Sequence, residues 1–219
     1  MKFYLFSEVR FEIPEPITLI ESYCYQSDFY SKYDVIENRT IEDVNKIGAR
    51  LKHSIILECK KVLEDAGQIA LFQYNLDGFL NLDEKAREEL ITELHSKIIK
   101  NLLKIKGISF STSTKILHTI YPEIMPMIDN PLQQKYKEII NSSWNKVNSD
   151  EILIDFYNNL QIKSNKKNLD IISDELKCIN LTGLSKIRIF DILWWSYLKA
   201  ERLNEGRGIR WTSISHIII

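Results

Sequence analysis

The fold is decided by residues 104–129, whose sequence is KIKGISFSTSTKILHTIYPEIMPMID. The pattern predicts the end of one helix, a tight turn at Gly107 and a second helix from about Ser111 to Ile120. Two prolines then interrupt helical structure, and Asp129 falls at the start of the next helix. We therefore expect two helices joined by a short glycine turn, followed by a carboxylate that begins a third helix.

This stretch lies in a cationic part of a chain whose net charge is only −1. Residues 94–122 contain no Asp or Glu, and their lysines are Lys97, Lys100, Lys104, Lys106 and Lys115. Backbone N–H groups at the start of a helix favour a phosphate, and nearby hydroxyls and lysines add donors and charge. The residues that we expect to bind a nucleic-acid backbone are Lys106, Gly107, Ser109, Ser111, Thr112 and Lys115. Such contacts position DNA without reading its sequence.

Charge is also segregated between the two ends of the chain. Residues 1–45 hold nine acidic and four basic side chains, whereas residues 177–210 hold seven basic and three acidic ones. Segregation of this kind matters for a polyanionic partner because phosphate contacts are local. Solvated helix faces are the alternative interpretation of either segment.

The composition favours helices over strands. The 219 residues include only 7 Gly and 5 Pro, as expected for helices joined by short loops. We expect a mostly α fold: an irregular helical bundle that contains a helix-hairpin-helix motif, with a short N-terminal extended segment where apolar residues alternate. Residues 1–219 are expected to form one domain. Two lobes are the alternative, about 1–95 with the C-terminal helices and about 96–180 with the hairpin.

Capping signals place the other helices. Thr40 and Asp43 form a capping box, which predicts one helix from there to Gly67. Asp83 is the predicted N-cap of a helix over residues 84–104, which follows a turn at residues 76–78. Further helices are predicted after Asp129, near residues 150–160, at 169–179 and at 184–203, with a solvated loop at 163–168.

Several classes of protein are not indicated by the sequence. No apolar run approaches the roughly 18 residues that span a membrane, and the N-terminus does not resemble a signal peptide, so a cytoplasmic protein is expected. The three cysteines, Cys24, Cys59 and Cys178, lack metal-binding spacing and are predicted to be buried, reduced thiols. His95 and His118 are predicted to be structural. We expect no metal and no cofactor, and the sequence indicates no oligomeric state.

One family resemblance is carried by Lys106-Gly-Ile-Ser-Phe-Ser-Thr-Ser113, Ile116-Leu117 and Pro126-Met-Ile-Asp129. These residues resemble the helix-hairpin-helix (HhH-GPD) DNA glycosylase superfamily, which has an L-P-G-V-G-x-K-T-A hairpin and then P-x-V-D. The 22-residue separation of Gly107 from Asp129 matches that family, and the resemblance covers about residues 98–140. The chain is most similar to small uncharacterised bacterial members. The resemblance implies a hydrolase that acts on double-stranded DNA in base excision repair, with Asp129 as the catalytic residue.

The chain departs from the family pattern at several positions. Ser109 replaces the second hairpin glycine, and Ser111 occupies the position of the Schiff-base lysine of bifunctional members. The resemblance therefore implies at most a monofunctional glycosylase without lyase activity. Asn130-Pro131 replaces the usual Thr-His, and the absence of a four-cysteine cluster implies no iron–sulfur centre.

Chemically, cleavage of an N-glycosidic bond develops positive charge on the sugar. A carboxylate about 4 Å away stabilises that charge by roughly 4 kcal/mol at an effective dielectric of 20, and it can activate water. The target base must leave the stack, which requires a wedge and a pocket. The candidates for these roles are Phe110, Tyr136, Trp194 and Trp195.

Three functions stay open at this point. The first is the glycosylase, the second is a non-catalytic helix-hairpin-helix DNA-binding protein in repair or phage defence, and the third is a helical scaffold without a nucleic-acid role. Asp129 has an alternative role as the N-cap of the helix that begins at Asn130, and the two roles are compatible.

Overall fold

The computed structural model describes residues 1–6, 9–26, 40–140, 149–181 and 183–204. It divides the chain into two compact units, residues 1–34 with 158–219, and residues 35–157. Helices dominate both units, and one two-stranded sheet is present among the described residues, so the predicted mostly α class is confirmed. The predicted organisation as one domain or two lobes stays a prediction.

The first unit begins with a β-hairpin. Strands β1 (Lys2–Leu5) and β2 (Val9–Glu12) pair antiparallel, with Phe3 opposite Phe11. These two rings are buried and stacked, with centroids 5.5 Å apart, because residues directly opposite each other on paired strands have neighbouring side chains on the same face. The predicted N-terminal extended segment is thus a strand pair.

Three helices complete the described part of this unit: α1 (Pro16–Gln26), α9 (Lys163–Cys178) and α10 (Lys186–Asn204). The solvated loop predicted at residues 163–168 is wrong, because those residues form the first turns of α9. Asn165 explains the difference. Its buried side chain accepts from the Tyr4 N–H at 2.9 Å and donates to the Tyr4 carbonyl at 2.8 Å, which satisfies the edge of β1.

The second unit is helical throughout its described residues. Its α-helices are α2 (His53–Ala66), α3 (Leu76–Leu80), α4 (Glu84–Leu94), α5 (Lys100–Leu102), α6 (Phe110–Ile120), α7 (Asn130–Ile140) and α8 (Ser149–Leu160), which extends past residue 157. Short 3₁₀ turns cover Ile41–Asn45 and Ala70–Gln73. A π-helical turn, His95–Ile99, joins α4 to α5.

Two predictions in this unit are corrected. The helix predicted from residue 41 to Gly67 is interrupted between residues 45 and 53, where Gly48 and Arg50 have positive φ angles of 81° and 55°. Asn45 holds this break, because its side chain exchanges hydrogen bonds with the Leu51 backbone. The turn predicted at residues 76–78 is a short helix, which Asn75 caps by accepting from the Gly78 N–H at 2.7 Å.

The predicted N-caps are confirmed where the structure describes them. Asp83 accepts from the Ala86 N–H at 2.8 Å and starts α4. The Asp43 carboxylate accepts from the Thr40 N–H at 2.9 Å. Among the cysteines, Cys59 is buried, and its burial raises the pKa of the thiol to about 11. Cys178 is exposed, so the prediction of a buried thiol is wrong there.

Candidate nucleic-acid site

The glycine turn joins α5 to α6. The Ile108 N–H donates to the Ile105 carbonyl at 3.0 Å, and Gly107 has φ +94°, a conformation that side chains rarely adopt. An added Cβ would meet only Ile55 Cδ1, at 3.9 Å, so the backbone angle and not the available space requires glycine. Helix α6 begins at Phe110, one residue before the predicted start.

Ser109 is the N-cap of α6. It has φ −101° and ψ 170°, an extended conformation, and its Oγ accepts from the Thr112 N–H at 3.2 Å. The hydroxyls of Ser109 and Thr112 lie 3.0 Å apart. Serine therefore suits this position, because the backbone is not left-handed and the hydroxyl satisfies a helix-terminal N–H.

The six residues predicted to bind phosphate differ in exposure. Lys106, Gly107 and Ser109 are exposed, and Thr112 and Lys115 are partly exposed. Ser111 is only 9% exposed. Among these six residues, the turn therefore offers one exposed lysine, an exposed glycine backbone and the hydroxyls of Ser109 and Thr112.

Of the other lysines of the cationic segment, Lys97 lies in the π-helical turn, Lys100 begins α5, and Lys104 follows the end of α5. Lys97 donates to Glu93 at 2.7 Å, and this hydrogen bond lowers the pKa of Glu93. Lys104 donates to Asn101 Oδ1 at 2.8 Å, and Lys100 is exposed. Since Lys97 is already paired with a carboxylate, positive charge available to a ligand is concentrated at Lys100, Lys104 and Lys106.

Asp129 lies at the start of α7 and caps it. Its Oδ1 accepts from the Leu132 N–H at 3.2 Å, and its carbonyl accepts from the Gln133 N–H at 3.0 Å. Gln133 in turn donates from its side chain to the Ile128 carbonyl at 2.7 Å. The side chain of Asp129 is partly exposed. The N-cap role considered for this residue is therefore present.

Thr114 connects the hairpin to the segment that carries Asp129. The Thr114 Oγ1 atom accepts from the Ile128 N–H at 3.1 Å and donates to the Ser111 carbonyl at 3.1 Å. Both groups are buried. The carboxylate and the glycine turn thus belong to one packed assembly within the second unit.

The segment between α6 and α7 is held by two further side chains. His118 is fully buried, and its Nδ1 lies 2.6 Å from the Met125 carbonyl. The Tyr157 hydroxyl donates to the Ile124 carbonyl at 2.6 Å. His95, the other histidine predicted to be structural, has its Nε2 2.7 Å from the Ser149 hydroxyl. The histidines predicted to be structural therefore hold backbone or neighbouring helices in place.

The aromatic candidates for a base pocket differ in burial, and they belong to different compact units. Phe110 is partly exposed at the start of α6. Tyr136 is buried, and its hydroxyl donates to Asp155 Oδ2 at 2.5 Å. Burial, followed by this contact, raises the pKa of Tyr136 well above its usual value. A ring so enclosed offers little surface to a base.

The two tryptophan candidates belong to the first unit. Trp194 is 1% exposed, and its indole N–H donates to Asp191 at 3.2 Å. Trp195 is partly exposed, and Lys199 Nζ lies 4.8 Å from the centre of its ring. Arg188 and Lys199, two cations of the basic C-terminal segment, are themselves buried. That segment is therefore not simply a solvated cationic face.

Three features of the structure were not predicted from the sequence. The first is the role of Thr114, whose only indication in the sequence is a hydroxyl on the apolar side of a helix. Phe72 and Tyr121 stack almost in parallel, with centroids 3.6 Å apart, although 49 positions separate them. Leu103, 38% exposed, lies next to Lys104.

No family model, curated protein or solved structure matches this chain. The relationship to helix-hairpin-helix glycosylases stays a prediction from the residues quoted above. Within the described ranges, no helix is both long and apolar enough to cross a membrane, and no three His, Cys, Asp or Glu side chains are grouped to hold a metal ion.

Proposed function

We propose that this protein binds double-stranded DNA through the Gly107 turn and hydrolyses the N-glycosidic bond of a damaged or modified base. It would act as a monofunctional glycosylase in the cytoplasm, with Asp129 as the catalytic carboxylate. The observation that carries the proposal is the Thr114–Ile128 hydrogen bond. It holds a partly exposed carboxylate and an exposed cationic turn within one packed assembly.

Phosphate binding is supported by the composition of the turn. Lys106 and Gly107 are exposed, and Ser109 and Thr112 present hydroxyls. Exposed Lys100 and Lys104 lie at the start of α5 and just after its end. Since residues 94–122 contain no carboxylate, a polyanion meets no repulsion from within this segment. Duplex DNA is a suitable partner because regularly spaced phosphates bind to clustered lysines.

Catalysis is supported by the environment of Asp129. The hydrogen bond from the Leu132 N–H holds Oδ1, which fixes the direction of the carboxylate before a substrate arrives. The carboxylate lies at the N-terminus of α7, the positive end of the helix dipole. An ionised carboxylate of fixed direction can stabilise an oxocarbenium-like sugar and orient a water molecule.

A non-catalytic DNA-binding protein is the second candidate, and a specific observation favours it. Asp129 already has a structural role as an N-cap, and two of the aromatic candidates, Tyr136 and Trp194, are buried. A protein that only binds DNA would need the turn and its lysines but no pocket beside the carboxylate.

The deciding experiment incubates the protein with duplexes that carry a panel of damaged or modified bases, followed by alkali to cleave abasic sites. The expected result is base release by the wild-type protein and about a thousandfold slower release by Asp129→Asn, if roughly 4 kcal/mol of charge stabilisation is lost. Asparagine is a suitable control substitution because it caps helices as well as aspartate does.

Stability measurements separate the two roles of Asp129. Asp129→Asn is expected to keep the unfolding free energy nearly unchanged, whereas Asp129→Ala loses the cap at a cost of about 1 kcal/mol. Equal base release by the wild type and the Asn variant would exclude Asp129 as the catalytic residue. Salt-dependent DNA binding without base release on the whole panel would favour the non-catalytic candidate.

A further inference from the structure

The two edges of the hairpin formed by β1 and β2 differ in what the first unit places against them. On the outer edge of β1, Asn165 accepts from the Tyr4 N–H and donates to the Tyr4 carbonyl. Asn168, also on α9, donates from its side chain to the Lys2 carbonyl at 2.6 Å. Side-chain amides of α9 therefore take up hydrogen-bonding groups that a further strand would need on this side.

The hydrogen-bond register defines which groups β2 presents on its other side. In an antiparallel pair, opposite residues alternate between pairs that exchange hydrogen bonds and pairs that do not. The Ile13 N–H donates to the Met1 carbonyl at 2.9 Å, so position 13 is a bonded one. Arg10 and Glu12 then fall on the non-bonded positions of β2, and their N–H and C=O groups face away from β1.

This outer edge of β2 is open as far as the described residues go. Arg10 and Glu12 are exposed, and within the described ranges their outward N–H and C=O groups make no hydrogen bond. Phe11 between them is 2% exposed, and its ring stacks on Tyr197 with centroids 5.0 Å apart. The strand is thus fixed to the core of the first unit while its edge offers hydrogen bonds to another strand.

The sequence of β2 is complementary to itself. When a second copy of β2 is placed antiparallel along this edge with Phe11 opposite its own counterpart, Arg10 of each copy faces Glu12 of the other. These are the positions whose backbone groups point outward, so one register pairs the charges and also forms the hydrogen bonds. Opposite charges directly across an antiparallel pair stabilise it, and like charges destabilise it.

A neighbouring residue of β1 extends this charge pattern. Lys2 lies opposite Glu12 in the hairpin, and both are exposed. In the two-copy arrangement, Glu12 would therefore lie between Lys2 of its own chain and Arg10 of the other. A strand from a different protein would need an acidic residue opposite Arg10 and a basic residue opposite Glu12, and an antiparallel copy of β2 has both.

We propose that the outer edge of β2 is a self-association site, where two copies of the chain join their hairpins into one four-stranded antiparallel sheet. The two-fold axis passes beside Phe11, and the same residues meet from both sides, as in other isologous dimers. The paired strands are short, so the dimer is weak and depends on protein concentration. It requires neither Asp129 nor the Gly107 turn and is therefore separate from the proposed function.

The test is sedimentation equilibrium of the full chain between about 1 μM and 1 mM. The wild type is expected to form dimers as its concentration rises. Arg10→Glu and Glu12→Arg each place like charges opposite each other at both ends of the paired segment, so each variant alone should self-associate at least about tenfold more weakly. An equimolar mixture of the two variants should regain dimers, because each supplies the charges that the other lacks.

Glu175→Arg is the matched control, because it makes the same charge change as Glu12→Arg at an exposed position of α9 in the same unit. It should associate as the wild type does. Hydrogen exchange locates the contact, since the backbone amides of Arg10 and Glu12 should become protected as dimers form.

The proposal would be overturned by a wild-type chain that stays monomeric throughout this range, or by a mixture of the two variants that does not regain dimers. Dimers without protection of these amides would show that another surface associates. Protection already present in the monomer would also overturn the proposal, because the edge would then be covered within one chain.

Discussion

At the scale of single residues, the hydroxyl of Thr114 connects α6 to the segment that precedes Asp129. It is the acceptor for a buried backbone N–H at Ile128, immediately before the proposed catalytic carboxylate. When a buried N–H loses its acceptor, the free energy of unfolding falls by more than an average hydrogen bond contributes. The reason is that the buried donor cannot form a hydrogen bond with water instead. Thr114 therefore helps to hold the backbone immediately before Asp129, together with Gln133.

Thr114→Val is expected to lower the unfolding free energy by about 2 kcal/mol, because it keeps the shape but removes the acceptor for Ile128. The matched control is Thr119→Val on the same helix, equally buried, whose hydroxyl donates to the Lys115 carbonyl. The control is expected to lose only about 0.5–1 kcal/mol. Urea denaturation measures both, and equal losses would contradict the special role of Thr114.

The sequence predicted single residues well where their role is local. Asp83 and Asp129 cap helices as expected, because an N-cap needs only a short polar side chain and the N–H groups of the next turn. Asn165 and Thr114 were not predicted, since their partners, Tyr4 and Ile128, are distant in sequence. No local pattern marks a polar side chain for a long-range contact.

At the scale of elements, the sequence correctly placed a glycine turn followed by a helix, whereas the helix-hairpin-helix motif itself stays a prediction. The turn at Gly107 and the end of α6 at Ile120 lie where the pattern places them. The errors fall where short helices compete with turns. Residues 76–80 contain Asp77 and Gly78, typical of a turn, yet Asn75 caps them into α3. Burial of Leu76, Phe79 and Leu80 offsets the weak helix propensity of Gly78.

The electrostatic contribution of the hairpin can be measured as a salt slope. Lys106→Ala is expected to weaken duplex binding and to reduce the slope of log K against log salt by about one, because one phosphate contact is lost. Lys85→Ala removes an exposed lysine of α4 that lies 3.9 Å from Glu89, and it should leave the slope unchanged. Equal slopes for Lys106→Ala and the wild type would show that Lys106 does not contact a DNA phosphate.

At the scale of the whole molecule, composition was sufficient for the fold class but not for its organisation. Few Gly and Pro residues predict helices, and helices form both compact units. The two-lobe alternative grouped residues 1–95 with the C-terminal helices, whereas the first compact unit contains residues 1–34 and 158–219. Contacts such as Tyr4 with Asn165 bring the ends together, and they depend on packing that no local pattern encodes.

The pH dependence of unfolding provides a test of both units. Burial, followed by the nearby Glu201, raises the pKa of Tyr197 from 10.0 to about 12 in the first unit, and the pKa of Tyr136 is also raised in the second. The folded chain thus holds these protons more tightly than the unfolded chain. The resulting stability is fully present below about pH 10 and is lost as pH rises towards 12.

The expected outcome is a fall in the unfolding free energy between pH 10 and pH 12, measured by urea denaturation. Tyr197→Phe should make this fall smaller, because the residue that titrates has been removed. At pH 8 the same variant reports the loss of the hydrogen bond to Glu201 separately from titration. An identical alkaline decline in wild type and variant would contradict the raised pKa of Tyr197.

The π-helical turn at His95–Ile99 has a consequence for the direction in which the hairpin faces. A π turn holds one residue more than the α-helical repeat, so it is equivalent to a single-residue insertion in the helix that begins at Glu84. Deleting one residue there would restore a regular helix and rotate everything beyond it by about 100°. Leu103 and Lys104 would then point elsewhere, although their own sequence would be unchanged. The direction of the proposed DNA-binding surface thus depends on one additional residue in the turn that precedes Lys100, Lys104 and Lys106.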